Sequence, residues 1–323
     1  GAAAAGSRGA PVIMKYRVSH TTAYDYADQV SRGYSLAYLI PRNTLVQRVL
    51  RSEVTISPHP SIKQHRQDYF GNTLLSFNVE EPHKRLEVRV DSDVEVDPAE
   101  RNLFSSSTSC VEVRAALDQC AFADDIEAVE YRYDSPMIIA SAELATFAAD
   151  LFADGAPFIR AVQTLNERIF KDFIYDPGFS TIATPLDEVM AQKRGVCQDF
   201  AQLAIGALRS MGFAARYVSG YLETLPPPGQ EKLKGADASH AWFAVYVPGV
   251  GWFDFDPTNG IAVAGKHITT AWGRDYSDVT PLRGVVFGGG VQQQMSVAVD
   301  VERIDLDGGS PAPGNTAQQQ QSS

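Results

Sequence analysis

No stretch of this chain stays apolar for the roughly 20 residues that a membrane-spanning helix needs. Cysteine is scarce: Cys110, Cys120 and Cys197 are the only three. An odd, small count is not a disulfide framework, so Cys110 and Cys120 are expected to be reduced structural thiols in a cytoplasmic protein. Positive charge is also short. Lys and Arg total 28 against 39 Asp and Glu, a net charge of −11, which argues against a nucleic-acid-binding surface. There is no phosphate-loop or dinucleotide fingerprint. Gly288-Gly289-Gly290 precedes no lysine and reads as a flexible linker. The six histidines show no zinc-type spacing with one another or with cysteine, so neither metal nor cofactor is expected. Four of them, His20, His59, His65 and His83, are expected on the surface. The opening Gly1-Ala2-Ala3-Ala4-Ala5-Gly6-Ser7 lacks the basic and bulky apolar regions of a secretory signal. Residues 1–13 read as a tag, with the native start at Met14.

What is present divides the chain. Residues 14–98 read as a β domain. Leu86, Val88, Val90, Val94 and Val96 alternate with polar residues, the period of a strand with one buried face. Val54-Thr55-Ile56 shows a shorter piece of the pattern, and Tyr69-Phe70-Gly71-Asn72-Thr73 carries a hairpin signal. Repeated strands with short turns suggest an antiparallel, sandwich-like domain. Residues 99–154 read as a helical connector in which Leu144, Phe147, Ala148 and Leu151 share one face. An α/β domain is expected over 155–290, giving an α+β chain. It opens with a helix after Pro157 bearing Phe158, Val162, Leu165 and Ile169, and a short helix follows with Thr184 as N-cap. A C-terminal segment covers 291–307, and the Gly-, Pro-, Gln- and Ser-rich residues 308–323 read as a disordered tail.

The chemistry centres on Cys197. Gly195-Val196-Cys197 runs into a helix expected to end at Met211 before Gly212, apolar almost all round and so buried. A cysteine at a helix N-terminus meets the positive end of the dipole, which favours thiolate. Its N–H is a candidate oxyanion-hole donor. Downstream, His240 opens a strand over Ala241–Val247 and Asp256 closes one over Trp252–Asp256, with Pro248-Gly249-Val250-Gly251 turning between them. A hairpin brings its two outer ends together, so imidazole and carboxylate can be neighbours. A thiol, an imidazole and a carboxylate are the parts of a nucleophile, its base and an orienting group. Asp199, Asp237 and Asp254 compete for the carboxylate role. Asp256 is preferred because it ends its strand, and Asp199 equally suits a helix-dipole role. Trp272 to Val279 reads as a packing strap or a cleft border.

Taken together, three segments resemble the bacterial branch of the transglutaminase-like superfamily. They are Arg194-Gly195-Val196-Cys197-Gln198-Asp199-Phe200-Ala201, Asp237-Ala238-Ser239-His240-Ala241-Trp242 and Trp252-Phe253-Asp254-Phe255-Asp256-Pro257-Thr258-Asn259. The β region from Tyr16 to Val96 is similar to the domain that precedes the core in bacterial members. The stretch from Trp272 to Val279 resembles one that often follows it. The resemblance implies a papain-like core in which Cys197, His240 and Asp256 match the triad. It also implies acyl transfer through a thioester: an amide of a glutamine side chain or peptide acylates the cysteine, and an amine or water releases it. A protein or peptide substrate and an amine acceptor are the implied partners; the residues themselves show no acidic calcium loop, and their charge and hydropathy point to neither nucleic acid nor membrane. A cysteine peptidase or amidase using the same triad, and a non-catalytic binding module with a vestigial site, are the alternatives.

Overall fold

The structure is a computed structural model. It describes residues 13–98, 107–179, 181, 184–224 and 238–304. The readings placed on residues 1–12, the 308–323 tail and Asp237 lie outside the described residues.

Five consecutive strands begin the N-terminal sheet: β1 (Met14–Ala37), β2 (Gln47–Ser57), β3 (Ile62–Gln67), β4 (Thr73–Val79) and β5 (His83–Val96). They are antiparallel in the order β2-β5-β1-β4-β3. The alternation in β5 holds, with Leu86, Val88, Val90, Val94 and Val96 all buried. The β3–β4 hairpin also forms. Its loop closes through Asp68, whose Oδ1 accepts the N–H of Phe70 and of Asn72, while Gly71 takes the left-handed φ of 72°. The 24-residue β1 is the spine. Its halves feed two apolar clusters, one around Leu75, Phe77, Val88 and Val90, the other around Tyr16, Val18, Val94 and Val96. The second also takes in Tyr221 and Ile268 and so welds this sheet to the rest of the molecule.

Next come α1 (Cys110–Gln119), α2 (Ala123–Val129), α3 (Ala142–Ala148) and α4 (Phe158–Asp172). The short strands β6 (Ile174–Tyr175) and β7 (Arg194–Gly195) pair in parallel around α5 (Leu186–Gln192), and α6 (Cys197–Ser210) follows. Pro185, not Thr184, caps α5, because the Thr184 hydroxyl is turned back to the N–H of Thr181 at 2.9 Å. In α4, Phe158, Val162, Leu165 and Ile169 are fully buried, as their spacing requires. The segment expected to be a connector does more than connect. Cys110, Val113 and Leu117 of α1 and Leu144 and Ala148 of α3 enter the same core as α6.

A second antiparallel sheet holds β8 (Ala215–Leu222), β9 (Ala238–Val247), β10 (Gly251–Asp256), β11 (Ile261–Ala262) and β12 (His267–Gly273), in the order β11-β10-β9-β8-β12. Ala241, Phe243 and Val245 of β9 join the core that buries α6, and Trp242 and Ala244 form a separate cluster with Val218. The chain then returns to its beginning. β13 (Leu282–Gly288) pairs with the second half of β1 and β14 (Gln293–Ile304) with the first. Both strands therefore belong to the N-terminal sheet, although 155–290 was expected to be one domain and 291–307 an appendage. The glycine run is a turn rather than a flexible linker. Gly288, Gly289 and Gly290 all have positive φ, and Gly289 exchanges backbone hydrogen bonds with Gln29 and Asp28. His20 and His83 are buried rather than on the surface: alternation along β1 turns His20 inward with Tyr16 and Val18, and His83 packs edge-on against Tyr26 beside the Glu81 carbonyl that its Nδ1 meets at 2.7 Å.

Candidate active site

Helix α6 presents Cys197 at its first turn and buries Phe200, Ala201, Leu203, Ala204, Ile205, Ala207 and Leu208. A helix surrounded on all sides is held rigidly, and that rigidity fixes its first residue. The N-cap is Val196, which has no side-chain acceptor to offer. Asp199 supplies the capping contact instead: its Oδ2 accepts the Val196 N–H at 2.8 Å. Asp199 is thus a structural carboxylate at the positive helix end, the dipole role foreseen for it. Cys197 itself is half-buried, so its thiol is reachable.

The imidazole of His240 bridges the other two residues. Its Nε2 lies 2.8 Å from Asp256 Oδ2, and the Cys197 side chain stands close enough to the same ring to raise its proton affinity. With Nε2 engaged by the carboxylate, Nδ1 is the nitrogen left for sulfur. The β9–β10 hairpin brings this about as its spacing suggested, with Phe255 opposite Phe243 and Gly251 opposite Val247. Burial acts to lower the His240 pKa. Hydrogen bonding to Asp256 and the neighbouring Cys197, with the charges of both, outweighs it and pushes it up to about 10. Asp256 is fully buried. Burial alone would raise its pKa, yet hydrogen bonds from His240 and His267 hold it well below the usual carboxylate range. Its Oδ1 accepts the N–H of Thr258 at 3.0 Å and of Asn259 at 3.2 Å, and its Oδ2 also accepts Asn259 Nδ2 at 2.7 Å.

Sequence reasoning missed His267. It opens β12, two strands away from His240, and places Nε2 3.0 Å from Asp256 Oδ2. Gly220 makes the approach possible. It lies on β8 opposite both His240 and Thr269. A Cβ there would sit 2.2 Å from the Ile268 carbonyl oxygen and 2.5 Å from the Trp242 ring. Only the strand order reveals this neighbour; no spacing in the sequence does.

The rejected carboxylates have other work. Asp254 Oδ2 accepts the Trp242 indole N–H at 2.9 Å. The segment from Trp272 to Val279 behaves as a strap: Arg274 pairs with Asp278 at 2.9 Å, and the Asp275 carboxylate takes the Met137 N–H at 2.8 Å. Tyr276 from this strap, with Tyr175 and Tyr217, stands close enough to Cys197 to feel a thiolate. Burial raises all three phenols first, and the Cys197 charge adds to it. His240 Nε2, Asp256 Oδ2 and His267 Nε2 fall within 4.8 Å of one another, a span that a divalent ion could bridge. Both imidazole–carboxylate contacts are already hydrogen bonds, so the donor set reads as a proton-sharing cluster. A cavity of about 1120 Å³, bordered by Arg42, Arg216, Trp252 and Trp272, lies elsewhere and shares only His267 with this cluster.

A half-buried cysteine at the start of a central helix, against a histidine–aspartate pair on an antiparallel sheet, defines a papain-like core. Comparison with known proteins agrees. The bacterial transglutaminase-like N-terminal region matches residues 16–95, and the transglutaminase-like superfamily matches residues 145–257. An uncharacterized protein of Mycobacterium tuberculosis is 40% identical over 298 residues, covering 91% of this chain and 94% of its own length. One of Mycobacterium leprae is 30% identical over 296 residues, covering 90% of this chain and all of its own. Among solved structures, a Cytophaga hutchinsonii protein described as a putative cysteine protease superposes with a TM-score of 0.71 over 94% of each chain. At 19% identity that likeness is one of fold. The chain belongs to the transglutaminase-like superfamily.

Proposed function

We propose that this chain is a cysteine enzyme that cleaves an amide through a thioester, with Cys197 as nucleophile, His240 as acid and base, and Asp256 as orienting group. The observation that carries the reading is His240 bonded to Asp256 at 2.8 Å, with the Cys197 side chain close enough to the same ring to raise its proton affinity. The thiolate attacks the amide carbonyl carbon and an oxyanion forms. The N–H of Cys197, at the first helical position and without an intrahelical acceptor, is aimed where that charge develops. The His240 imidazolium gives its proton to the departing nitrogen, the C–N bond breaks, and ammonia or an amine leaves. An amine or water then attacks the thioester, losing its proton to neutral His240; the C–S bond breaks, and the Cys197 thiolate and His240 imidazolium are restored. Asp256 keeps its charge throughout, because the donors around it hold its proton affinity low.

Transfer, amidase action and peptide hydrolysis share the acylation step and divide at release. Free Cys110 and Cys120 suit a reducing compartment such as the cytoplasm. The test combines glutamine-containing peptides with a primary-amine probe and follows ammonia, amine adduct and peptide fragments by mass spectrometry. Adduct or deamidated product that vanishes in Cys197→Ala supports the side-chain reading. Backbone fragments that vanish in the same variant replace it with the peptidase reading. No product, together with a Cys197 that alkylates at pH 6 no faster than Cys110 and Cys120, overturns both.

A further inference from the structure

The geometry points to His267 as a positioning residue for this site. It is a second imidazole donor on Asp256 that shares the carboxylate with His240 and so sets how tightly His240 holds its proton. The inference rests on the Cys197–His240–Asp256 reading above. Asp256 Oδ2 receives Nε2 of His240 at 2.8 Å and Nε2 of His267 at 3.0 Å, and the His267 side chain is 99% buried. His267 Nδ1 is buried without a partner. A bare lone pair is tolerated there far better than an unpaired N–H, so the proton belongs on Nε2, pointing at Asp256. The edge-on packing of Trp242, 5.2 Å between ring centroids, holds the ring in that direction, and the backbone N–H of His267 is fixed on the Ala264 carbonyl.

The titratable groups around His240 are Cys197 from α6, Asp256 from β10 and His267 from β12. Asp254 is engaged by Trp242, and Lys266 beside His267 is exposed. Losing the His267 donor would not let Asp256 swing away, because Thr258 and Asn259 keep two backbone N–H groups on Oδ1. The carboxylate would instead become a stronger acceptor toward His240. The imidazolium would then be held harder and release its proton to the leaving nitrogen less readily. A shared donor keeps the acid strong enough to act.

The experiment compares the full chain with His267→Phe, which removes the donor, and His267→Gln, whose amide restores one near the Nε2 position. The ring nitrogens of His240, assigned with His240→Ala, are titrated by NMR, and Cys197 alkylation is followed at pH 6 in each. In His267→Phe the His240 titration should move to higher pH. With an active amide substrate kcat should fall about tenfold while KM changes less than twofold, an effect the size of lost support around a catalytic group. His267→Gln should return both toward wild type. If the wild-type Cys197 is activated and His267→Phe, folded by circular dichroism, leaves the His240 titration unchanged, the role of His267 is overturned and the triad stands. A kcat loss that Gln does not rescue, without a titration shift, likewise makes His267 structural. If the wild-type Cys197 alkylates no faster than Cys110 and Cys120, the triad reading falls and takes this inference with it.

Discussion

The carboxylate of Asp199 occupies the space that a side chain on Gly195 would need. A Cβ at Gly195 would lie 2.8 Å from Asp199 Oδ2 and 2.9 Å from its Cβ. That same carboxylate caps Val196 and holds the first turn of the helix bearing Cys197. Gly195→Ala must therefore expel the cap. We expect a loss of about 1 to 3 kcal/mol from the clash and the freed N–H, and slower alkylation of Cys197 as its turn frays. Asp199→Asn keeps an acceptor oxygen and removes a negative charge two residues from the sulfur. Its stability should change by less than about 1 kcal/mol, and Cys197 should alkylate faster at pH 6. Urea unfolding and mass-resolved alkylation check both. Slower alkylation in Asp199→Asn would mean that the charge assists the thiol.

The His240–Asp256 pair ties stability to alkaline pH. The folded pKa of His240 is raised from 6.5 to about 10. A raised pKa means that the folded state binds the proton more tightly, so the stabilisation is complete below about pH 6.5 and disappears as pH climbs through 10. Wild-type stability should fall across that window. Asp256→Asn, which accepts a hydrogen bond without a charge, should flatten the slope and cut turnover by a factor of about 100 to 10,000. Chemical denaturation at pH 6, 8 and 10 reads the first. An unchanged slope in Asp256→Asn would detach the shift from this pair.

His20 gives the opposite dependence. Burial lowers its pKa from 6.5 to about 4. Its Nε2 meets Thr22 Oγ1 at 2.7 Å, while its Nδ1 has no partner. A lowered pKa means that the unfolded chain takes up the proton first, so stability present above pH 6.5 is lost as pH falls toward 4. The full span is worth roughly 3 kcal/mol at 1.36 kcal/mol per unit. His20→Gln should be less stable at pH 7 yet lose less between pH 7 and 4.5. Urea midpoints at the two values decide it, and parallel losses in both proteins would assign the acid sensitivity elsewhere.

The parts legible in the sequence were those with local periodicity or local chemistry. Alternation in β5, the α4 stripe and the short β9–β10 hairpin each depend on residues near one another, and they placed Cys197, His240 and Asp256 in one neighbourhood. What was hidden depends on which strands lie side by side. His267 joins Asp256 only because β12 packs beside β8 and Gly220 leaves room. The return of β13 and β14 to β1 is likewise non-local, so a glycine turn looked like a linker and a sheet edge like an appendage. His20 and His83 were misplaced because polar residues on a strand read as solvent-facing until a second layer covers them.

One such long-range contact is open to direct measurement. Asn72, fully buried in the β3–β4 hairpin, grips the backbone of Trp272 in β12 from both sides. Its Nδ2 donates to Trp272 O at 2.8 Å and its Oδ1 accepts the Trp272 N–H at 2.9 Å. Asp68 Oδ2 accepts the second amide hydrogen at 2.8 Å, so the side chain is locked. Trp272 is in turn stacked between Arg42 and Arg216, at 3.2 and 3.8 Å from its ring centre. Asn72→Leu keeps the volume and leaves both Trp272 backbone groups unpaired. At about 1 to 3 kcal/mol for each buried unsatisfied group, the loss should reach several kcal/mol. Asn72→Asp can still accept the Trp272 N–H, but it places a second carboxylate against Asp68 and should be no better. If the N-terminal sheet stabilises the core through this grip, hydrogen exchange at Ile268, Thr269 and Trp272 should accelerate in Asn72→Leu together with the fall in the unfolding midpoint. A midpoint lowered with exchange in β12 unchanged would confine the effect to the hairpin and remove Asn72 as a link between the two sheets.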